Sequence, residues 1–153
     1  MVDAMAVMGV ARFERFFRAA AGVDVDKDDL KRYNDFVDQK IYDLLIMASA
    51  TAKANGRDVI AWKDIPLTQG IQKSMHQFVK LDQDIELQPI LEQLAAQPPL
   101  EVELGEEAQA RLVAVVGGIS LALARTFTIL DPGVKNPSTG HWERSFRLFD
   151  LLL

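Results

Sequence analysis

The chain has 153 residues, of which 49% are hydrophobic and 25% charged, and its formal net charge is -5. This composition is typical of a single compact domain over residues 1–153 and excludes a disordered chain. The absence of cysteine excludes a disulfide framework, a thiolate nucleophile and a cysteine-based metal site, and we therefore expect a reducing, cytoplasmic location.

Charge is distributed unevenly along the chain. Residues 1–80 carry 12 Lys and Arg against 11 Asp and Glu, a balance of +1, whereas residues 81–153 carry 5 against 11, a balance of -6. Lys and Arg displace the counterions condensed on DNA, so an acidic chain is handicapped as a DNA-binding protein. Only the first half could overcome this handicap.

Two apolar segments have some features of membrane or signal sequences. Residues 1–11 are apolar, but they carry Asp3 where a secretory signal would carry basic residues, and no small-residue cleavage site follows. The run at 112–124 lies between Arg111 and Arg125 and is too short to cross a hydrocarbon core of about 30 Å as a helix. We expect no signal and no membrane partner, and we predict that residues 112–124 lie in a buried core helix.

Helical periodicity dominates the first segment of the chain. Its apolar residues recur at i, i+3, i+4 and i+7, which predicts a short helix with one buried stripe that ends at Gly22. The residues of this stripe are Phe13, Phe16, Phe17 and Ala20.

A long helix should follow this short one. Asp26 is a suitable N-cap, because its carboxylate can accept hydrogen bonds from the open amides of the next turn. The sequence then contains no Pro or Gly until Asn55-Gly56, where the long helix is predicted to stop. A third helix is predicted to begin near Trp62, to be disturbed by Pro66 and to continue through Phe78.

The same layout recurs in the rest of the chain. A short apolar stripe is followed by a long helix over about 106–130, and a last helix is predicted to begin at Ser138 or Thr139. Short, long, short therefore occurs twice, with a first half at 9–80 and a second half at 81–153. The short stripe of the second half consists of Leu87, Ile90, Leu91 and Leu94.

A recognisable motif follows the long helix of the first half. Residues 55–65 read Asn-Gly-Arg-Asp-Val-Ile-Ala-Trp-Lys-Asp-Ile, with Arg57 seven residues before Asp64 and an aliphatic residue after it. This segment resembles the end of the central helix, the second loop and the start of the third helix of archaeal and eukaryotic histones. Together with the repeated layout, it most resembles an uncharacterised family of bacterial and archaeal histone-like proteins in which one chain holds two histone folds.

The resemblance implies a fold and a set of contacts. It implies an all-α protein in which two tandem histone folds pack as an intramolecular pseudo-dimer, since a histone fold does not bury its long helix alone. Arg57 would form a structural ion pair with Asp64. Val59 and Ile60 would form a short strand that pairs with residues 100–104.

The segment departs from DNA-binding histones where those proteins contact phosphate. Their usual Lys and Thr after the loop arginine are replaced by Asp58 and Val59, and the first loop is rich in aspartate, which would repel a DNA backbone. The motif is also absent from the second half. The basic residues that remain as candidate DNA-phosphate contacts are Arg12, Arg15, Arg18, Lys27 and Lys31. The competing explanation is that these residues form a solvated helix face without a ligand.

No residue pattern predicts catalysis. His76 and His141 have no neighbouring ligand at metal-binding spacing, so we expect no metal and no cofactor. Ser120 or Ser145 could be combined with His141 only on paper, because nothing places either serine on a strained nucleophile turn. Gly117-Gly118 lacks the Lys and Ser/Thr of a phosphate loop and predicts instead a close approach of two helices.

Three hypotheses follow from these observations. The first is a non-enzymatic, histone-like dimerisation or scaffold module with weak or no DNA binding, which pairs its own two halves and could bind a protein partner or form a homo-oligomer. The alternative is an architectural protein that binds DNA without reading its sequence, through the basic residues of the first half. A ligand-binding protein or enzyme with a pocket between the halves is the third.

Overall fold

The structure is a computed structural model that describes residues 7–153. Residues 1–6 lie outside the described residues. The prediction that residues 1–11 are not a secretory signal therefore falls mostly on this undescribed part. The described residues form six α-helices, one 3-10 turn and one two-stranded sheet. The predicted all-α class is therefore confirmed.

The first half consists of a short, a long and a short helix. Helix α1 is Val10–Ala21, α2 is Lys27–Ala54 and α3 is Gln69–Lys80, with 12, 28 and 12 residues. Between α2 and α3 lie a two-residue strand β1, Val59–Ile60, and the 3-10 turn, Trp62–Asp64.

Helix α3 begins later than the sequence predicted. The single helix expected from Trp62 is replaced by one 3-10 turn, and α3 starts after Thr68, whose hydroxyl accepts from the N–H of Ile71 at 3.2 Å. Ile65, the residue before Pro66, has an extended backbone with ψ at 119°. A proline imposes this conformation on the residue before it, so Pro66 stops the first turn from growing into a helix.

The second half repeats the short, long, short order of helices, but its strand precedes the long helix instead of following it. Helix α4 is Leu87–Ala96, a two-residue strand β2 is Glu103–Leu104, α5 is Glu106–Leu130 and α6 is Thr139–Leu152. These helices have 10, 25 and 14 residues, and α5 and α6 begin where the sequence predicted.

Capping residues fix the start of α2. The Asp26 carboxylate accepts from the amide of Asp28 at 2.9 Å and from that of Asp29 at 3.3 Å, and the Asp29 carboxylate accepts in return from the amide of Asp26. This reciprocal arrangement satisfies donors that the first turn of a helix leaves open. The aspartates of the first loop are thus largely explained by helix capping.

Aromatic side chains from both halves meet in one core. The ring of Trp142 in α6 lies 4.8 Å from that of Phe127 in α5 and 5.8 Å from that of Phe17 in α1, measured between centroids. Phe17 in turn contacts the ring of Tyr33 in α2 edge-on at 5.7 Å. All four side chains are fully buried, so the two halves share a single hydrophobic core.

Glycines allow α3 to pack closely on α5. A Cβ atom at Gly118 would overlap the side chain of Met75 and lie 3.0 Å from its backbone nitrogen and 3.1 Å from the carbonyl oxygen of Ile71. A Cβ at Gly117 would overlap the ring of Phe78. The close approach predicted for Gly117-Gly118 is therefore present, and its partner is α3.

Candidate functional site

An ion pair closes the segment that follows α2. Arg57 donates from Nη1 to Asp64 Oδ2 at 2.5 Å and from Nη2 to Oδ1 at 2.7 Å. Asp64 is buried and also accepts from the N–H of Ala61 at 2.8 Å. The two bonds from Arg57 lower the pKa of Asp64 to about 2, because they favour the charged carboxylate. The pair holds β1 and the 3-10 turn in one arrangement.

Strand β1 pairs with a strand of the second half. Val59 and Ile60 align in parallel with Glu103 and Leu104. The N–H of Gly105 donates to the Ile60 carbonyl at 3.0 Å. A Cβ at Gly105 would lie 2.7 Å from that carbonyl oxygen, so only glycine fits here without displacing the backbone. This β1–β2 contact lies within the region that the resemblance indicated.

The surface around the β1–β2 contact carries carboxylates. Asp58 and Glu103 are exposed beside the paired strands. Two cations of this region, Arg57 and Lys53, are already engaged, the second with Glu101 at 3.1 Å. A phosphate group approaching this contact would meet negative charge first.

A second loop contact joins the halves elsewhere. The N–H of Asp24, before α2, donates to the carbonyl of Lys135, after α5, at 2.6 Å. The side chain of Asp24 accepts from Arg18 at 3.2 Å, and the exposed Asp26 and Asp28 follow. This Asp24–Lys135 contact is therefore also bordered by acidic side chains.

Three of the five basic candidates are already paired with carboxylates. Arg12 lies 3.4 Å from Glu86, Arg18 binds Asp24, and Lys31 lies 2.8 Å from Asp35. The other two, Arg15 and Lys27, are exposed and form no ion pair within residues 7–153. Glu86 is 74 positions from Arg12 in the sequence, so reading the first half alone could not reveal this neutralisation.

A serine, a histidine and an aspartate that were not predicted to interact form a hydrogen-bonded chain at the start of α6. His141 Nδ1 lies 2.8 Å from Ser138 Oγ and also accepts from the Ser138 N–H at 2.9 Å, while Nε2 lies 3.0 Å from Asp131 Oδ2. The bond to His141 lowers the pKa of Asp131. Because the Ser138 amide already occupies Nδ1, we interpret this chain as a helix cap. The Ser-x-x-His spacing at the predicted start of the last helix was its only signal in the sequence.

The serines considered for catalysis are engaged or isolated. Ser120 Oγ lies 2.7 Å from the hydroxyl of Tyr33, and both are buried. Ser145 Oγ is buried without a hydrogen-bond partner among the described residues. His76 is exposed on α3. Neither serine is hydrogen-bonded to His141.

Two further features concern metal binding and membranes. Within residues 7–153, no three His, Asp or Glu side chains come together as a group that could hold a metal ion. Among the helices of residues 7–153, α5 alone is long and apolar enough to cross a membrane, by length and composition only. Because 61% of its most apolar stretch is buried inside the protein, it is weak evidence for a membrane span and is consistent with the predicted core helix.

Comparison with known proteins identifies a family and two relatives in sequence. The family described as "Domain of unknown function (DUF1931)" matches residues 13–150. Two proteins from Aquifex aeolicus (strain VF5), each described as "Uncharacterized protein", are 27% and 28% identical over 113 and 130 residues. The matches cover 74% and 76% of this chain, and 66% and 75% of the two relatives.

Two solved structures share the arrangement of helices. A crystal structure from Thermus thermophilus is 49% identical, covers 96% of this chain and 99% of its own, and superposes with a TM-score of 0.92. A crystal structure from Aquifex aeolicus is 25% identical, covers 94% of both chains and superposes with a TM-score of 0.79.

Proposed function

The chain belongs to the DUF1931 family, a domain of unknown function, and we propose that it is a pseudo-dimer of two histone folds that works in the cytoplasm as a non-enzymatic interaction or scaffold module. In this proposal the halves at 9–80 and 81–153 each supply one fold. DNA binding is weak or absent. The observation that carries the proposal is the pairing of β1 with β2 beside the Arg57–Asp64 ion pair.

Helix lengths support the assignment of two equivalent folds. The central helices α2 and α5, with 28 and 25 residues, are each flanked by shorter helices of 10 to 14 residues. Buried residues occupy a broad arc of each central helix, 13 of the 28 residues in α2 and 12 of the 25 in α5. A helix that is apolar on several sides must be covered by more than one neighbour, which a paired arrangement supplies.

Contacts between the halves support pairing within one chain. The first loop of each half contacts the second loop of the other, through β1 and β2 at one contact and through Asp24 and Lys135 at the other. In addition, Tyr33 of α2 and Ser120 of α5 share a buried hydrogen bond. The relation is reciprocal, as expected for two similar units about a pseudo-two-fold axis.

Charge supports the weak-DNA part of the proposal. Acidic side chains border both loop contacts, and Asp58 and Val59 occupy positions where DNA-binding histones contact phosphate. Only Arg15 and Lys27 of the five basic candidates are free of ion pairs within the described residues. Affinity for duplex DNA grows with the number of phosphates neutralised, and the two unpaired cations among these five candidates are few for a stable complex.

The test is fluorescence anisotropy of labelled duplex DNA at low and at physiological salt. We expect no binding, or weak binding that disappears at physiological salt. Binding that persists at physiological salt and is lost in the triple variant Arg12→Glu, Arg15→Glu, Arg18→Glu, with unchanged circular dichroism, would favour the architectural DNA-binding protein instead.

A charge-reversal variant tests the placement of the loops. Asp58→Lys combined with Asp24→Lys puts one new cation at each loop contact, and we expect DNA affinity at low salt to rise. The matched control, Glu92→Lys with Glu143→Lys, makes the same charge change on exposed faces of α4 and α6. Equal gains in both variants would mean that net charge alone matters and would remove this support for histone-like loops.

A further inference from the structure

Three of the four most exposed large hydrophobic side chains among the described residues lie near the ends of two helices in the second half. Leu151 and Leu152 of α6 are 78% and 73% exposed, and Ile129 of α5 is 78% exposed. Leu148, at 36%, completes an i, i+3, i+4 stripe along α6. We call these four residues the α6 patch. Beside it, a groove of about 570 Å³ runs between the ends of α5 and α6 and the start of α3.

An exposed leucine by itself needs no explanation, but a contiguous group does. Single apolar residues are common on protein surfaces, whereas grouped ones in register on a helix usually mark an interaction site. Val79 of α3 is equally exposed, at 71%, and provides an internal comparison outside the patch.

Charges of both signs flank the α6 patch. Arg144 and Arg147 lie one helical turn before its leucines, and neither forms an ion pair within residues 7–153. Asp150 is 67% exposed at its side chain and uses Oδ1 to bind the buried Lys40 at 2.5 Å. Its other oxygen can accept a bond from outside the chain.

We propose that a second copy of this chain covers the α6 patch, with the two α6 helices antiparallel across a two-fold axis between Leu148 and Phe149. In this register Arg147 lies opposite Asp150 of the partner subunit, and the symmetry makes the pair twice. The leucines of both copies are buried between these charges. The proposal rests on the interaction-module function above and names its partner.

The mixture of charges favours a second copy over other partners. A two-fold interface uses the same surface on both sides, so that surface must be complementary to itself, with both signs and an apolar centre. An anionic membrane or an acidic peptide would suit Arg144 and Arg147 but would bring negative charge against Asp150.

Sedimentation equilibrium of the full chain over a range of concentrations tests the proposal. We expect a reversible monomer–dimer equilibrium for the wild type and a monomer for Leu151→Glu. Arg147→Glu should weaken the dimer at least tenfold, because it places Glu opposite Asp150 twice. The matched control, Val79→Glu, adds the same charge at an exposed apolar residue outside the patch and should remain dimeric. Circular dichroism verifies that each variant is folded.

Disulfide cross-linking locates the axis independently. The chain has no cysteine, so Leu148→Cys introduces a single thiol beside the proposed axis, and oxidation should produce a covalent dimer. Val79→Cys should not. A wild type that is monomeric up to its solubility limit, or a dimer that persists in L151E and R147E, would overturn the proposal. So would a monomer that sediments with anionic phospholipid vesicles and loses this binding in L151E.

A failure of the proposed self-association can be distinguished from a failure of the proposed function. A monomeric wild type that binds no DNA overturns only self-association through α6. A protein that binds DNA at physiological salt overturns the proposed function, whatever its oligomeric state.

Discussion

The hydroxyl oxygens of Tyr33 and Ser120 lie 2.7 Å apart, with both side chains fully buried where the two long helices meet. The residues are 87 positions apart, one in each half. Burial raises the pKa of Tyr33, so the phenol stays protonated and can donate to the serine oxygen. This hydrogen bond is therefore a fully buried polar link between the two halves.

The first prediction concerns this link. Tyr33→Phe leaves Ser120 Oγ buried without its partner and should lower the free energy of unfolding by about 1–2 kcal/mol. The double variant Tyr33→Phe with Ser120→Ala removes both polar groups and should recover part of the loss. Urea denaturation of the single and double variants measures the coupling. Strictly additive losses would mean that the two hydroxyls do not interact.

The second prediction concerns the Arg57–Asp64 pair. Arg57→Met leaves the buried Asp64 carboxylate without its main partner, and the melting temperature should fall by about 5 °C or more. The control Lys53→Met breaks the exposed pair with Glu101 and should change it by much less. Equal melting temperatures for R57M and wild type would show that the pair contributes no stability.

The same pair predicts a dependence on acid. Because the pKa of Asp64 falls from 3.8 to about 2 in the folded chain, the stability that the pair contributes is fully present above pH 3.8. It is lost as the pH falls towards 2. The difference in stability between wild type and R57M should therefore shrink over this window in urea titrations, and a constant difference would contradict the assignment.

The third prediction concerns the contact between α3 and α5. Gly118→Ala gains helix propensity of about 1 kcal/mol but forces a methyl group against the backbone of Met75 and Ile71. Backbone atoms cannot move aside as a flexible side chain can, so we expect a net loss of about 1–2 kcal/mol in chemical denaturation. Gly140→Ala, where the nearest atom is 3.6 Å away, is the control and should be neutral or slightly stabilising.

The fourth prediction concerns Asp38 on α2. Burial, and secondarily the nearby Asp35, raise the pKa of Asp38 to about 6. Ionising a carboxyl whose folded pKa is raised costs stability, so the cost is absent below pH 3.8, grows as the pH rises and is complete above about 6. Asp38→Asn should be about 1–2 kcal/mol more stable than wild type at pH 7, allowing for partial solvent exposure.

The pH comparison provides the control for Asp38. At pH 3.5 most of the advantage of D38N should disappear, because the wild-type carboxyl is then protonated in the folded state and mostly protonated in the unfolded state. Glu92→Gln, an exposed carboxyl on α4, should show no such change. An advantage for D38N that is the same at both pH values would mean that packing, and not charge, explains it.

Much of the helical framework could be predicted from local patterns. The N-cap at Asp26, the stop at Asn55-Gly56 and the start of α5 at Glu106 depend on neighbouring residues, and each lies within a residue of its predicted position. The predicted start of α3 near Trp62 was wrong, because Pro66 holds the residue before it in an extended conformation and stops a helix there.

Contacts between distant residues could not be predicted in the same way. Periodicity predicts which face of a helix is buried but not its partner, so the bond between Tyr33 and Ser120 and the neutralisation of Arg12 by Glu86 emerged only from the structure. The exposed leucines of α6 belong to the same class. Leu148, Leu151 and Leu152 lie outside the face of α6 that buries Trp142 and Phe149, and the local pattern does not predict whether a leucine there is covered.

The central claim is that two halves, each incomplete alone, pair to form one core, and the most direct test is to separate them. Residues 9–80 and 81–153 would be produced as two polypeptides and followed by far-ultraviolet circular dichroism, alone and mixed. We predict that each half is largely unfolded alone and that mixing restores the helical spectrum of the intact chain with one-to-one stoichiometry. A half that folds by itself as a stable monomer, or halves that do not combine, would contradict the account.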